Sequence, residues 1–301
     1  MIDDTNERGQ IVGYTVAKGY LDNPQLRDSF IQLAGNVFGI SFRNWMDKGY
    51  LTSNYIPYSF INNEKVIANV SANQLGLLID GQKKNALQIG TVMTHPDYRG
   101  EGLARQLMEL VLEDVHGQYD LIYLFANRTV LDFYPKFGFM PVSEHMFSIK
   151  LTERKGPLPK MRKLNIDNEE ERALLYRLAS ERSPVSSVFS ALGTEELLMF
   201  YCLNAFSEKI YYLEEEQLIA IFEEKAREMH VYDLIFQKEM DLKRALSKIS
   251  GPETRRAVLH FTPDGDGVSW DIEKFDSSEV LFVRKGTFLP KVFKHPLTAQ
   301  A

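Results

Sequence analysis

The residues whose types and spacing point to chemistry lie between Leu87 and Phe139. An apolar strand, Leu87-Gln88-Ile89-Gly90-Thr91-Val92-Met93-Thr94, leads into His95-Pro96-Asp97-Tyr98-Arg99-Gly100-Glu101-Gly102 and then into an amphipathic helix from Leu103. Glycines at 100 and 102 open backbone conformations closed to other residues and let the main chain approach a ligand, so several N–H groups can converge on one anion. The helix behind them leaves its first amides unpaired, and its dipole puts partial positive charge at the same point. Arg99 adds a full charge and a fork of donors. The chemistry is anion binding, and a pyrophosphate is the natural occupant.

Two better-known glycine loops do not fit. The stretch has no Gly-Lys-Ser/Thr ending, and it lacks both the three-glycine dinucleotide fingerprint and the acidic residue about 20 positions later. What remains is Arg99-x-x-Gly102-x-Ala104, approached from a strand and followed by a helix. Further on comes Leu131-Asp132-Phe133-Tyr134-Pro135-Lys136-Phe137-Gly138-Phe139. The first pattern resembles the acetyl-CoA loop of the GNAT superfamily of N-acetyltransferases, Gln/Arg-x-x-Gly-x-Gly/Ala. The second resembles that family's aromatic-Tyr-x-x-x-Gly-Phe signature.

The resemblance implies acetyl-CoA as co-substrate. It implies that the backbone of Val92, Met93 and Thr94 pairs with the pantetheine arm like an added strand. Arg99, Gly100, Glu101, Gly102, Leu103, Ala104 and Arg105 would form the pyrophosphate cradle. Asn127 would bond the pantetheine, with a plain helix cap as its rival role. Tyr134 stands where family members keep a tyrosine that protonates the departing thiolate, against a packing role among Phe133, Phe137 and Phe139. Phe42, Trp45 and Tyr50 would line the acceptor pocket, with core or rim aromatics as the other reading.

The base that deprotonates the acceptor is not identifiable from the residues. The strand face offers Gln88, Gly90, Val92 and Thr94, His95 is the nearest titratable group, and a water chain or a C-terminal carboxylate at Ala301 is open by analogy. The activity implied is acetyl transfer to a primary amine of a small molecule or peptide by direct attack. The alternative is a catalytically silent CoA-binding sensor. The tandem layout is similar to that of the enhanced-intracellular-survival aminoglycoside acetyltransferases, including Phe38-Gly39-Ile40-Ser41-Phe42 and Ile56-Pro57-Tyr58-Ser59. That group carries a further lipid-carrier-like domain, for which this sequence has no room.

The chain of 301 residues predicts two domains. Apolar content of 44% and charged content of 25% are those of a soluble globular protein, and a net charge of −6 argues against nucleic acid and mildly for a cationic partner. The single cysteine, Cys202, sits among apolar residues and reads as a buried small hydrophobe in a reducing, cytoplasmic setting. A polar N-terminus and the lack of long apolar runs give no signal peptide and no membrane span. The histidines show no ligand spacing, so no metal is expected, and no particular oligomer is predicted.

The elements that must hold these residues follow from periodicity. A strand over residues 10–18, helices over 26–38 and 41–48, a hairpin of 55–62 and 65–78, and the strand from Leu87 precede the helix from Leu103 to about His116. The apolar run Leu121-Ile122-Tyr123-Leu124-Phe125 then implies a parallel, right-handed crossover, followed by a helix over 130–137 and a strand over 146–150. Helices over 167–180, 194–206 and 241–249 and strands over 209–213, 217–223, 231–236, 257–262, 268–272 and 280–283 repeat that order. Tyr58 to Ala68 even aligns with Ile210 to Ala220. The fold class is α/β (α+β): two GNAT-like domains, each a mixed, mostly antiparallel twisted sheet with a central parallel βαβ unit and flanking helices. The expected division is 1–152 (catalytic), 153–160 (linker, with Gly156-Pro157-Leu158-Pro159) and 161–301 (degenerate). In the second half the counterpart of the anion loop, residues 237–242, has no glycine and carries Glu239 and Asp241.

Overall fold

A computed structural model describes residues 13–152, 160–238, 240–265, 267–284 and 289–301. The start of the first expected strand, the linker over 153–159, Glu239 and one residue of the turn over 263–267 lie outside them. The chain opens with β1 (Thr15–Lys18), α1 (Pro24–Phe38) and α2 (Arg43–Asp47). Asn23 caps α1 by accepting from the amides of Gln25 and Leu26, and Pro24 occupies the first turn where its missing N–H is not needed. β2 (Tyr55–Asn62) and β3 (Lys65–Ile79) close through Asn63 and Glu64, both at positive φ, and β3 returns as β4 (Gln82–Thr94) through Asp80-Gly81. That Asp-Gly pair makes a two-residue turn, so β4 begins five residues earlier than the apolar run suggests.

α3 (Leu103–Asp114) crosses to β5 (Leu121–Asn127), which lies parallel to β4. β6 (Phe139–Val142) and β7 (Glu144–Lys150) follow. Between β5 and β6 the expected helix is two short 3-10 turns, Arg128–Val130 and Tyr134–Phe137. Pro135 lacks the N–H that a regular helix needs there.

The second half runs β8 (Arg162–Lys163), α4 (Glu169–Ser180), β9 (Phe189–Leu192), α5 (Glu195–Asn204), β10 (Ile210–Leu213), β11 (Leu218–Lys225) and β12 (Glu228–Ile235). Then come α6 (Leu242–Ile249), β13 (Arg256–Leu259), β14 (Asp271–Phe275) and β15 (Glu279–Arg284). Here too a helix, α6, links two parallel strands, β12 and β13.

The strands form two sheets whose orders match place for place. One is β1-β2-β3-β4-β5-β15-β6, with β9 added to β3; the other, read in the same sense, is β8-β10-β11-β12-β13-β7-β14. The mixed, mostly antiparallel character expected of each half is present. The division at 152 and 161 does not follow the sheets, however. β7, expected to finish the first sheet, pairs with β13, and β15 from the far end of the chain takes the place beside β5. The edge of β5 is filled by Leu281, Phe282 and Val283, all buried, so no room is left there for β7.

The two halves also share a core. Phe30 of α1, Phe42 just before α2 and Trp45 of α2 pack in one cluster with Leu175 of α4 and with Leu198, Met199 and Cys202 of α5. A second cluster lies between α3 and the first sheet, a third between α6 and the second. The segment 293–299 runs through the interior: Phe293, Lys294, His295, Thr298 and Ala299 are all buried.

Lys294 is held there by Glu144 of the exchanged strand at 2.8 Å, with 1% and 5% of the two side chains exposed, and the same carboxylate accepts from the His295 amide. Removing one member of so dry a pair strands the other charge. Lys294→Ala will therefore lower the unfolding free energy by about 3–5 kcal/mol, read from urea unfolding curves with an unchanged slope.

Candidate active site

Gly100 and Gly102 both take positive φ, 89° and 78°, which is the backbone state that glycine alone adopts freely. Gly102 is the cap of α3 and offers no side chain, and the first bond within the helix runs from the Gln106 amide to the Gly102 carbonyl at 3.1 Å. The amides of Leu103, Ala104 and Arg105 precede that bond and point out of the helix end. Leu103 itself is buried under the sheet and anchors the helix start. Arg99 is exposed beside the loop, its Nε 3.4 Å from the Thr94 carbonyl.

The strand feeding the loop is irregular at one point. β3 and β4 keep register up to Ser71 with Gly90 and resume it at Asn69 with Met93, so Thr91 and Val92 face a single residue, Val70. Thr91 has φ of 48°, a cost for a β-branched residue that the surroundings must hold in place. Its carbonyl accepts from Asn69 Nδ2 at 2.8 Å, and its hydroxyl lies 2.5 Å from the Tyr55 hydroxyl. Asn69 is fully buried and bonds Ser59 and Ser71 as well. The bulge is thus pinned by a closed polar network, and burial pushes the Tyr55 phenol up to about 12.

β4 and β5 pair only from Ala86 with Leu121 to Ile89 with Leu124. Beyond those four pairs the strands separate, leaving the facing edges of 90–94 and 125–127 without each other. Gly90 stands at the fork. A methyl group on it would come within 2.9 Å of the Ala301 carbonyl carbon and oxygen, so the last segment of the described chain lies directly against the fork.

A chain of hydrogen bonds holds that segment. The Ala301 amide donates to Gln88 Oε1; Gln88 Nε2 donates to the Ala299 carbonyl at 3.1 Å and to the Tyr123 hydroxyl at 3.0 Å. His295 Nδ1 lies 3.0 Å from the Pro296 carbonyl, which places its proton on that nitrogen, so Nε2 accepts from Tyr123 at 2.9 Å. Burial and the Lys294 charge lower the imidazole to about 3, so it is neutral.

On the other face of the sheet Tyr134 is packed by Phe133, Phe282 and Phe139 at 5.1, 5.8 and 6.5 Å between ring centres. Its hydroxyl bonds no described residue. Burial, with the nearby charge of Glu279, raises it to about 12, so it is a proton donor throughout the physiological range.

Residues 24–142 match a family described as an acetyltransferase (GNAT) domain. That stretch of the chain is similar to a GNAT acetyltransferase domain. No curated protein matches the sequence. Among solved structures, a probable N-acyltransferase from Enterococcus faecalis V583 aligns over 90% of this chain and 72% of its own, at 18% identity and a TM-score of 0.60. A GCN5-related N-acetyltransferase from Kribbella flavida aligns over the same shares at 15% identity and a TM-score of 0.53. Eis1 from Mycobacterium abscessus aligns over 90% and 73% at 12% identity and a TM-score of 0.53. At such identities the likeness is one of fold.

The remaining expected residues of the GNAT domain divide. Val92, Met93 and Thr94 lie on the unpaired arm of β4, with Met93 side chain buried. Asn127 ends the other arm and caps the next turn, its Oδ1 accepting from the Thr129 amide at 3.0 Å. Arg105 is turned to Glu109 at 2.9 Å, and Glu101 accepts from the Tyr14 hydroxyl at 3.0 Å. Phe42 and Trp45 are corrected: they are 6% and 1% exposed, and the Trp45 ring N–H donates to the Glu196 carbonyl at 2.7 Å, so they form the joint between the halves and line no open pocket. Tyr50 is half-buried on Tyr176, 5.1 Å between ring centres. A cavity of about 480 Å³ beside His116, Tyr119 and Arg284 lies at the opposite end of α3 from the loop.

Gln88 was seen as part of the strand face without its link to the tail.

The neutral buried histidines set a pH dependence. His260 is also lowered to about 3, by burial and by the charges of His230 and Lys294. Unfolded, a histidine binds its proton near pH 6.5. The folded protein does not, so stability is intact above that pH and falls as pH drops towards 3. His295 alone removes about 2 kcal/mol at pH 5. Unfolding free energies measured from pH 7.5 to 4.5 will show a shallower acid slope in His295→Asn than in the parent.

Proposed function

We propose that the chain is an acetyl-CoA-dependent N-acetyltransferase acting on a primary amine of a small molecule or peptide by direct attack. The observation that carries this is the junction itself: a pinned bulge and a fork between two parallel strands lead into a helix end whose amides are open. Acetyl-CoA supplies an acyl thioester. Gly100, Gly102 and the amides of 103–105 fit its pyrophosphate, since a side chain at either glycine would meet the positive φ and crowd the cradle. Arg99 supplies charge, and the free edge of 92–94 suits an extended arm laid along it as an extra strand.

In this reading the fork excludes water and holds the thioester carbonyl beside main-chain amides, so that charge developing on its oxygen meets preorganised donors. Tyr134 hands its proton to the departing sulfur. Its raised pKa suits donation and disfavours any role as a resting base.

The second half is read as a degenerate GNAT-like unit that binds no cofactor. The end of α6 supports this, because Asp241 Oδ1 accepts from the Arg244 amide at 3.0 Å and fills the place an anion would take. The two sheets have the same strand order, which fits the tandem reading.

Gly102→Glu will weaken acetyl-CoA binding by at least about 100-fold in calorimetry, through like charge and about 1–2 kcal/mol of backbone strain; unchanged affinity would remove the site. Tyr134→Phe will keep that affinity and lower kcat by about 100-fold. Free thiol release over a panel of polyamines, aminoglycosides and peptide N-termini tests turnover, and tight cofactor binding without release from any of them would favour a silent binder.

A further inference from the structure

Gly90 lies within a strand and has no positive φ, so no turn explains its missing side chain. What lies against it does. The Ala301 carbonyl packs on the backbone of β4 just where β4 and β5 part, in space that a side chain at residue 90 would fill. Alternate residues along a strand share a face. Gln88 and Gly90 therefore face the tail, as does Tyr123, the partner of Gln88 on β5, whereas Leu87, Ile89, Ile122 and Leu124 pack in the cluster with α3.

The tail is held in this place from both halves. In the second half the Leu297 amide donates to the His260 carbonyl at 3.1 Å, and the Thr298 hydroxyl donates to Asp233 Oδ2 at 2.7 Å. Asp233 is itself buried and fixed by both terminal nitrogens of Arg182, at 2.9 and 2.5 Å. In the first half the buried Gln88 amide grips the tail twice, Oε1 accepting from the Ala301 amide and Nε2 donating to the Ala299 carbonyl. An amide engaged at both its oxygen and its nitrogen has one orientation, because a flip would set donor against donor. Phe125, the first residue of β5 beyond its last pair with β4, leans on His295 at 5.1 Å between ring centres. On the face away from α3, the narrow end of the fork is thus closed by ordered groups.

That closure lies in line with the cofactor. With phosphates at residues 100–105 and an arm along 94, 93 and 92, the cofactor advances towards Gly90 by about 3.3 Å per strand residue. Acyl carbons beyond the carbonyl then meet the narrow end, where residues 299–301 stand. We propose that residues 299–301 form the end wall of the acyl site and restrict it to short acyl groups, with Thr298 and Asp233 as positioning residues that hold the wall. The proposal rests on the acyl-transfer reading above. Close-packed sites tolerate added methylenes badly, so each carbon added to the acyl chain must push the tail aside. The second half thereby acts on the choice of cofactor without touching it.

Calorimetry on the full chain with acetyl-, butyryl- and hexanoyl-CoA tests this without an acceptor. The parent is expected to bind hexanoyl-CoA about tenfold or more weakly than acetyl-CoA. Thr298→Val removes the bond to Asp233, and a protein lacking Gln300 and Ala301 loses the wall while keeping its anchor. Each should hold acetyl-CoA within about twofold of the parent and bring hexanoyl-CoA within about threefold of acetyl-CoA, with butyryl-CoA between. A tail that serves stability alone would instead lower the melting temperature and all three affinities together, with their ratios unchanged. Parental ratios in both variants, or a parent that binds hexanoyl-CoA as tightly as acetyl-CoA, overturn the wall and leave the acyl-transfer reading standing. A parent that binds none of the three removes the cofactor site itself, and this proposal with it.

Discussion

Backbone groups in a sheet need partners, and the separation of β4 from β5 after four residue pairs leaves two facing edges without them. Nothing in the apolar sequence of either strand requires that separation. It follows from the bulge at Thr91, which inserts a residue into β4 and turns the strand away, and the bulge in turn is held by Asn69, Tyr55 and their buried partners. Polar atoms at complete burial are costly unless every one is bonded. The network around Asn69 meets that condition, and so the strained turn of Thr91 is fixed rather than floppy. The fork, the cradle beyond it and the position of Tyr134 all depend on this one kink.

The exchange of β7 and β15 is the second constraint. Each sheet is completed by a strand from the other half of the chain, so neither half closes its own core. The Lys294–Glu144 pair and the shared cluster of Trp45, Phe200 and Phe206 bind the halves further. One consequence is structural: the edge strand beside β5 comes from the far end of the chain, so the first sheet is complete only when the second half has folded.

Much of this could be read from the sequence, and the rest could not for identifiable reasons. Asn23-Pro24 and Gly100 with Gly102 each act within a few residues, so their caps and turns are local facts. Alternation in Glu144–Lys150 and Glu279–Arg284 says that both are strands and says nothing of which edge they join. Pairing partners are chosen by three-dimensional fit, and a swap between two sheets of the same order leaves the pattern unchanged. Aromatic residues in the first helices were equally ambiguous: Phe42 and Trp45 have the same types whether they face a substrate or a second domain.

The two helices that follow the parallel strands begin in different ways. Both α3 and α6 begin after a strand of the same rank, and both present unpaired amides with the positive end of a dipole. α3 is capped by a glycine at positive φ, so its amides stay open to whatever anion arrives. α6 is capped by Asp241, whose carboxylate satisfies the Arg244 amide from within. A capping carboxylate is worth about 1 kcal/mol to its own helix and also neutralises the field that would draw a phosphate. The first half forgoes that stabilisation and leaves its helix amides open; the second takes it and satisfies one of them from within.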